Sequence, residues 1–575
     1  FFNSHMKGNE TLAGYDMVLA LSQNTINYQF QQLYKRNIIH KKWGVLGGKT
    51  ADDKDFHITD QDAGFKQKIK DWIVIQKDIE KARKDNNWTE IGKLMERVKS
   101  ENLNFTFGWD AVLIAPEVNF IKDNTKEVLL QIGFKSGKLY YREEETKAIS
   151  TFNLKNNVYT FKVPIGQLKV NKENMVLEAG ESAAQVIRES GLSDEDFTIQ
   201  SLFLNFENTD ISSFDKTRST LPEGSSVAFQ NAIANYFNMT ISGSNNPYIL
   251  GYGLHRKKIK ATEKAMFQPT SLGFSTSYSN KNKEPGVYSA FNFLMMLKDT
   301  KPPTTTTAGI LPKSLIELGK DVSSSTDGVF SIQKNHFNTY IKSLDEYVQS
   351  TFTNLDGVSL KHGFKNNVMV LTKHQKKKDD TIDTVFTITK EPAKNKSNNS
   401  GISVRYKIAI NVDVIVKAWF VKVGEKTLST SGKYTKDEIK KKGSVGYLDF
   451  TIKTGKTGRF DLDHKLTTPN VAFDENPNLF GHGFWNDLLS ILTIFVSWII
   501  FTVKAIVNQI AADLGKQGAS GSSALIDKLN EIDVLNQTNK VILPLGKVYA
   551  FKNLRIEDKQ DIVAYDIAYA PVIEK

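Results

Sequence analysis

One segment of this chain alternates strictly between apolar and mostly polar side chains, over a longer stretch than ordinary strands cover. Between residues 402 and 416, every second side chain is apolar. This period of two predicts a β-strand of about 15 residues, roughly 50 Å long, with one dry face. A compact domain built from half of this chain would be only about 50 Å across, so the strand favours an elongated roll. The apolar positions are Ile402, Val404, Tyr406, Ile408, Ile410, Val412, Val414 and Val416.

Two stretches repeat apolar residues at helical spacing, and each precedes a series of strand patterns. They cover residues 15–36 and 337–355. Spacings of three and four residues place the apolar side chains on one face, which predicts long amphipathic helices. Residues 65–99 carry two further charged helical patterns, which we expect to form a surface insertion, and residues 225–238 also have a helical pattern. The two long apolar faces comprise Tyr15, Val18, Leu19, Ile26, Phe30 and Leu33, and Phe337, Tyr340, Ile341, Leu344, Val348, Phe352 and Leu355.

The remaining patterned segments are typical of strands joined in sequence by hairpins. Such strands pair antiparallel, because parallel neighbours would need crossover helices between them. The sequence therefore predicts an α+β fold with an N-terminal half at 11–300 and a C-terminal half at 313–575, joined by a linker at 301–312. The clearest predicted strands are Leu103–Ile114, Glu127–Lys135, Lys138–Arg142, Val158–Pro164, Phe197–Phe206, Val368–Thr372, Thr384–Thr389, Gly446–Lys453, Val541–Phe551 and Ile562–Ala570.

An uncharged stretch lies inside a predicted apolar helix at residues 484–514. Sixteen residues from Leu488 to Val503 carry no charge. A helix that spans a membrane needs about 20 apolar residues, so a buried core helix is favoured. The alternative is a helix that contacts a membrane, permanently or after a conformational change. Its membrane-contact candidates are Ile494, Phe495, Trp498 and Ile499.

Net charge and residue composition limit the classes of partner that the protein can bind. The 575 residues carry a net charge of +11, which suits solubility or an acidic partner such as an anionic membrane surface. The basic runs fall in predicted loops without interleaved aromatic residues, so we expect no nucleic-acid partner. The chain has no cysteine, which excludes disulfides, thiolate metal sites and a cysteine nucleophile.

The sequence offers no catalytic constellation. Residues 44–50 resemble a phosphate-binding loop, but the spacing of the glycines is one residue short and acidic residues follow. The nine histidines are scattered, and none pairs at helical spacing with a glutamate for metal hydrolysis. We therefore expect a protein that is not an enzyme, with no catalytic residues, no metal site and no cofactor.

The start of the chain does not resemble a signal peptide, because residues 1–6 contain neither a basic nor an apolar region of the required kind. Ser4-His5-Met6 resembles a cloning scar, with a natural start near Met6. Residues 1–10 are expected to be a disordered start.

A long amphipathic helix on a curved, long-stranded sheet leaves a cleft when the two dry faces do not meet fully. Chain-like apolar ligands fit clefts of this kind. The alternative is a filled, closed core. The lipid-groove candidates are Val18, Ile26, Phe30, Tyr340, Leu344, Val348, Ile408, Ile410 and Val412.

Several short motifs resemble those of a known group of proteins. They are Gly14–Val18, residues 267–274, residues 290–296 and Leu543-Pro544-Leu545-Gly546. With the helix-then-strands order, they are similar to the TULIP (tubular lipid-binding) superfamily, and within it to accessory proteins encoded beside clostridial neurotoxins. The resemblance implies elongated rolls of long antiparallel strands wrapped around amphipathic helices, affinity for lipids or phosphoinositides, and a place in a bacterial toxin locus. It supplies no catalytic motif.

Three functions follow as expectations. The first is a non-enzymatic lipid-binding protein of TULIP type, with a toxin-cluster protein as a further partner. The second is a secreted insecticidal or pore-forming toxin that acts through helix 484–514. The third is a structural or interaction protein with a closed core. For the first, we expect a location in the bacterial cytoplasm, or secretion without a classical signal peptide.

Overall fold

The structure is a computed structural model of the 575-residue chain. It describes residues 11–50, 52–143, 146–170, 197–206, 215–220, 246–256, 269–303, 309–311, 313–319, 327–354, 356–377, 380–395, 402–421, 434–454, 460–466, 472–473, 541–542 and 548–570. The predicted start at 1–10, the helical pattern at 225–238 and the apolar helix at 484–514 lie outside these residues. So do the membrane-contact candidates Ile494, Phe495, Trp498 and Ile499.

The described helices confirm the two surface patterns and the second amphipathic pattern. The pair predicted at 65–99 forms a helical hairpin, and the pattern at 337–355 is a helix of 20 residues. Among the described residues, no helix has the length and apolar character that crossing a bilayer requires. The helices are α1 (Gln23–Lys35), α2 (Phe65–Lys84), α3 (Trp88–Ser100), α4 (Pro285–Tyr288) and α5 (Lys334–Thr353), with 3-10 turns at Lys281–Lys283 and Leu315–Leu318.

The strands form three sheets, in which every described pairing is antiparallel. The architecture is therefore α+β and mostly antiparallel sheet. The central sheet has the order β11 (Pro269–Ser277), β12 (Ala290–Leu297), β1 (Met17–Ser22), β13 (Gly328–Gln333), β24 (Ile562–Ala570), β23 (Val548–Glu557). The second sheet comprises β2 (Lys42–Lys49), β3 (Asp55–Thr59), β4 (Phe105–Leu113), β5 (Glu117–Phe120), β6 (Glu127–Arg142), β7 (Ile149–Asn153), β8 (Val158–Val170), β9 (Phe197–Leu204), β10 (Ile249–Arg256) and β22 (Val541–Ile542). The third comprises β14 (Val358–Lys365), β15 (Val368–Lys377), β16 (Asp380–Lys390), β17 (Lys394–Asn395), β18 (Ile402–Val421), β19 (Tyr434–Thr454), β20 (Phe460–Leu466) and β21 (Ala472–Phe473).

The central sheet contains strands from both sides of the predicted linker at 301–312. β1 lies between β12 and β13, with Leu19 opposite Phe293 on one side and Phe330 on the other. β24, from the other end of the chain, pairs with the far edge of β13. The sheet therefore joins segments that are far apart in sequence.

The first predicted helix is wrong over its opening residues. Residues 17–22 form β1, and the helix begins only at Gln23. All six residues of β1 are buried, because this central strand is covered on both faces. A strand of this kind is an uninterrupted apolar run, which periodicity does not separate from a buried helix.

The long alternating strand is confirmed. β18 runs over 20 residues and pairs along most of its length with β19, which has 21. Ile402, Val404, Tyr406 and Ile408 are each at most 1% exposed, whereas Ser403 between them is half-buried. One face of the strand is thus dry, as its period of two requires.

Two predictions place strand boundaries wrongly. The patterns at 127–135 and 138–142 belong to one strand, β6, which passes through Gly137 at a φ of 136°. The pattern at 541–551 contains β22 and β23, which belong to two different sheets. In both segments, the partner strand rather than the local pattern decides where a strand continues.

Candidate functional site

Helix α1 ends in a turn that redirects the chain. Asn37 adopts a left-handed conformation with a φ of 59°, and its amide donates to the Tyr34 carbonyl at 3.0 Å. The next amide, of Ile38, donates to the Leu33 carbonyl at 3.0 Å. This pair of bonds is a Schellman motif, in which asparagine tolerates the left-handed position and an apolar residue follows. The turn directs Ile38 and the buried Ile39 back toward the core.

A cavity of about 890 Å³ lies beside this turn. One wall is the segment from the end of α1 into β2, and another is the end of β3. The third wall comes from Pro247 and Tyr248, about 200 residues further along the chain. The described lining comprises Asn37, Ile38, Ile39, His40, Lys41, Lys42, Trp43, Gly44, Thr59, Asp60, Gln61, Pro247 and Tyr248.

The lining combines apolar side chains with an excess of basic ones. Ile39, Trp43 and Tyr248 are at most 5% exposed, so they form a buried apolar wall. His40 and Lys42 are exposed, and Lys41 is half-buried. The Lys41 ammonium donates to the Lys35 carbonyl at 3.1 Å and lies 5.7 Å from the centre of the Tyr34 ring, which positions it near the mouth.

One lining residue, Tyr248, has a buried hydroxyl. Its hydroxyl has no hydrogen-bond partner among the described residues, and burial raises the pKa of this phenol. The ring is held by edge-to-face contacts with Phe30 and Phe206, at centroid distances of 5.9 and 5.2 Å. A buried hydroxyl without a partner costs about 1–3 kcal/mol.

Hydrogen bonds to a charged side chain connect helix α5 to the third sheet. Asp345 on α5 accepts hydrogen bonds from the Lys390 ammonium at 2.6 Å and the Tyr406 hydroxyl at 2.7 Å. All three side chains are nearly or fully buried. The dry face of β18 is therefore covered at this point by an ionic contact.

A second charged contact joins α5 to β1. The buried Asp16 carboxylate accepts from the His336 ring at 2.8 Å, from the Leu297 amide at 2.7 Å and from Thr300 at 3.1 Å. Burial alone would raise the pKa of Asp16, but these hydrogen bonds and the His336 charge together lower it below its ordinary value of 3.8. The first turn of α5 contains no acidic residue of its own, so Asp16 places a negative charge near the positive end of the helix dipole.

Five of the nine predicted lipid-groove residues have described side chains, and these five lie in the core. Ile26, Phe30, Val348 and Ile408 belong to the largest apolar cluster and are at most 1% exposed. Val18 lies in a separate cluster between the central sheet and the turn at Leu315–Leu318. The side chains of Tyr340, Leu344, Ile410 and Val412 lie outside the described part of the structure. None of the nine is among the described residues that line the cavity.

Sequence reasoning missed the cavity residues. Ile38 and Ile39 carry no periodic signal, because they lie in a turn between a helix and a strand. The one usable local signal is the Asn37-Ile38 pair after basic Lys35 and Arg36, which is typical of a helix end. Residues 44–50, which resemble a phosphate-binding loop without its glycine spacing, fall mostly in β2. Within the described residues, no three His, Asp or Glu side chains are grouped as a metal site would require.

Comparisons with known proteins give distant structural likeness. No family profile and no curated protein matches the sequence. Solved structures that resemble the chain include P47 from Clostridium botulinum A2, with 10% identity, a TM-score of 0.42 and 97% of each chain covered. P47 of Clostridium botulinum E1 has 9% identity and a TM-score of 0.45, over 97% of this chain and 99% of that one. A lipopolysaccharide binding protein has 9% identity and a TM-score of 0.27 over the same shares.

Proposed function

We propose that this protein is a non-enzymatic lipid-binding protein of TULIP type, with antiparallel sheets rolled around α1 and α5. The observation that carries the proposal is the cavity beside the end of α1, with its apolar wall and basic mouth. The structural neighbours have TM-scores below 0.5 and do not contribute to the argument.

The cavity suits an amphiphile with an acidic head group. Its volume, about 890 Å³, lies within the range of ligand-binding pockets. The half-buried Ile38 and Pro247 offer an apolar surface to an acyl chain. Lys41 and Lys42 at the mouth would attract a phosphate or carboxylate, and each cation near such a group contributes about 1 kcal/mol. Asp60 is the single carboxylate of the described lining.

The packing of both long helices supports the roll. The apolar faces of α1 and α5 share one cluster with residues from all three sheets. α1 buries Ile26, Phe30 and Leu33 in it, and α5 buries Phe337, Val348 and Phe352. Burial of six such side chains contributes roughly 10–15 kcal/mol before the loss of conformational entropy, at about 2 kcal/mol each.

A role as an accessory of a bacterial toxin locus is part of the proposal. It rests on the motif resemblance described above. The genes beside this one test it directly, since a toxin gene in the same cluster would support the role and an unrelated neighbourhood would reject it. Either location, the bacterial cytoplasm or the outside of the cell, is compatible with the cavity.

Two variants test the proposal, one that fills the cavity and one that reverses the charge at its mouth. We propose Ile38→Trp, which adds volume at the half-buried lining, and the double change Lys41→Glu/Lys42→Glu, which reverses the charge of the mouth. The readouts are mass spectrometry of lipids extracted from the purified protein and the affinity for fluorescent phosphatidylglycerol. Both variants should bind at least about tenfold more weakly, a loss of about 1.4 kcal/mol.

Two matched controls separate the cavity from general effects. Ile310→Trp adds the same volume at a residue that is 60% exposed, and Lys66→Glu/Lys70→Glu reverses two exposed charges on α2. Both should bind lipid as the unaltered protein does. Repeated extractions without acyl lipid, or equal affinity in the cavity and control variants, would reject the proposed function.

A further inference from the structure

A second cavity, of about 590 Å³, lies on the outer side of α1 near its start. Its described lining consists entirely of polar residues: five side-chain amides, two carboxylates, a threonine and a tyrosine. It contains no lysine, arginine or histidine and no aliphatic side chain. This chemistry disfavours both an anion and an acyl chain, so the cavity differs in kind from the one beside Tyr248.

The inner wall of this cavity is held rigidly. Asn27 makes two hydrogen bonds with the backbone of Val118, donating at 3.0 Å and accepting at 2.7 Å. Gln23 accepts from the Phe120 amide at 2.8 Å and donates to Asn119 at 3.3 Å. These contacts fix the amide planes of the wall, which lowers the entropy cost of binding a ligand against them.

The outer wall presents side chains in a row. Asn24, Tyr28 and Gln31 are separated by four and three residues, so they lie on one face of α1. Asn24 is exposed, Gln31 is half-buried and the Tyr28 side chain is 41% exposed. The described lining also includes the exposed Glu117 and the half-buried Asp327, whose carbonyl accepts from the Thr25 hydroxyl at 2.9 Å.

We infer that this cavity binds a neutral sugar. Each hydroxyl of a sugar both donates and accepts, and amide side chains offer both functions in one plane. Carboxylates accept further hydroxyl protons, and the exposed Tyr28 ring can pack against the C–H face of a pyranose. A phosphorylated or carboxylated sugar is disfavoured by Glu117 and Asp327, because like charges repel.

The test is saturation-transfer NMR of the full chain with five neutral probes. They are glucose, galactose, mannose, N-acetylglucosamine and N-acetylgalactosamine, each measured separately. At least one should bind, and Asn24→Ala and Tyr28→Ala should each weaken it by about tenfold. Gln32→Ala is the matched control, because Gln32 lies on the same helix and is not among the described lining residues. It should leave the affinity unchanged.

Three outcomes would overturn the inference. In the first, none of the five sugars binds. In the second, a sugar binds with the same affinity to all variants, which would place its site elsewhere. In the third, tetramethylammonium binds in place of the sugars and is lost in the Tyr28→Ala variant, which would assign the cavity to a cation. None of these results depends on lipid binding, because Lys41 and Lys42 do not line this cavity.

Discussion

The two strand-helix units β1–α1 and β13–α5 have the same arrangement, but different kinds of polar contact hold their helices in place. β1 and β13 are neighbouring antiparallel strands of six buried residues, and each leads directly into a helix. α1 is fixed by uncharged groups, for example Asn27 to Val118 and the Tyr34 hydroxyl to the Leu113 carbonyl at 2.8 Å. α5 is fixed by ionised groups. Apolar packing thus builds both units, while the Asp16 contact makes the attachment of α5 to the sheet sensitive to pH.

The largest effect is expected at the buried contact of α5. Asp345→Ala removes the carboxylate that pairs with the Lys390 ammonium. The side chains of Lys390 and Asp345 are only 10% and 12% exposed. Loss of one partner of a buried ion pair costs about 3–5 kcal/mol. We expect a large downward shift in the urea midpoint, followed by circular dichroism. Glu346→Ala, at an exposed position one residue further along α5, should shift the midpoint little. Equal shifts for the two variants would contradict the ionic fastening.

An intermediate effect is expected at Asp16. Asp16→Asn weakens the hydrogen bonds from His336, Leu297 and Thr300, and bonds of this charged kind contribute about 1.5–3 kcal/mol. Because the folded pKa of Asp16 is below its ordinary value of 3.8, the folded state binds the proton less readily than the unfolded state. The stabilisation is therefore present above pH 3.8 and is lost as the pH falls through the folded pKa.

The measurement for Asp16 is the urea midpoint of both proteins across that pH range. The difference between the unaltered protein and Asp16→Asn should shrink in acid, where the Asp16 carboxylate takes up a proton. A difference that stays the same down to the lowest usable pH would show that the charge of Asp16 contributes nothing.

The smallest effect is expected on α1. Asn27→Ala removes two neutral hydrogen bonds to the backbone of Val118, at a cost of about 1–2 kcal/mol. Since neither group titrates, this loss should not change with pH. Gln32→Ala on the same helix provides the reference. A loss for Asn27→Ala that varies with pH as Asp16→Asn does would remove the distinction between the two units.

The sequence correctly predicts those elements in which one face is buried and the other exposed, because their apolar residues recur at a regular spacing. β18 follows from its alternation alone, and α5 from its apolar spacing, because one face of each is buried and the other is not. β1 is buried on both faces, so its pattern carries no period and it was predicted as helix. The ionic contact of Asp345 is invisible in sequence, since it joins residues 45 and 61 positions apart.

The lipid-groove candidates and the described cavity lining share no residue, for a physical reason. Lipid-groove candidates were chosen as the most apolar positions, and those with described side chains pack in the core, where dispersion contacts are densest. The cavity instead lies where packing is interrupted, at a turn that Pro247 and Tyr248 approach from a distant segment. Turn residues with mixed chemistry give no periodic signal, so only the three-dimensional arrangement identifies them.

The position of β24 in the central sheet has a consequence for biosynthesis. β13 is made before its partner β24, because β14 to β23 lie between them in chain order. Until then β13 has an open, apolar edge, which is a template for pairing with other chains. The central sheet can therefore be completed only after β24 has been made, and until then the exposed edge of β13 favours association between chains.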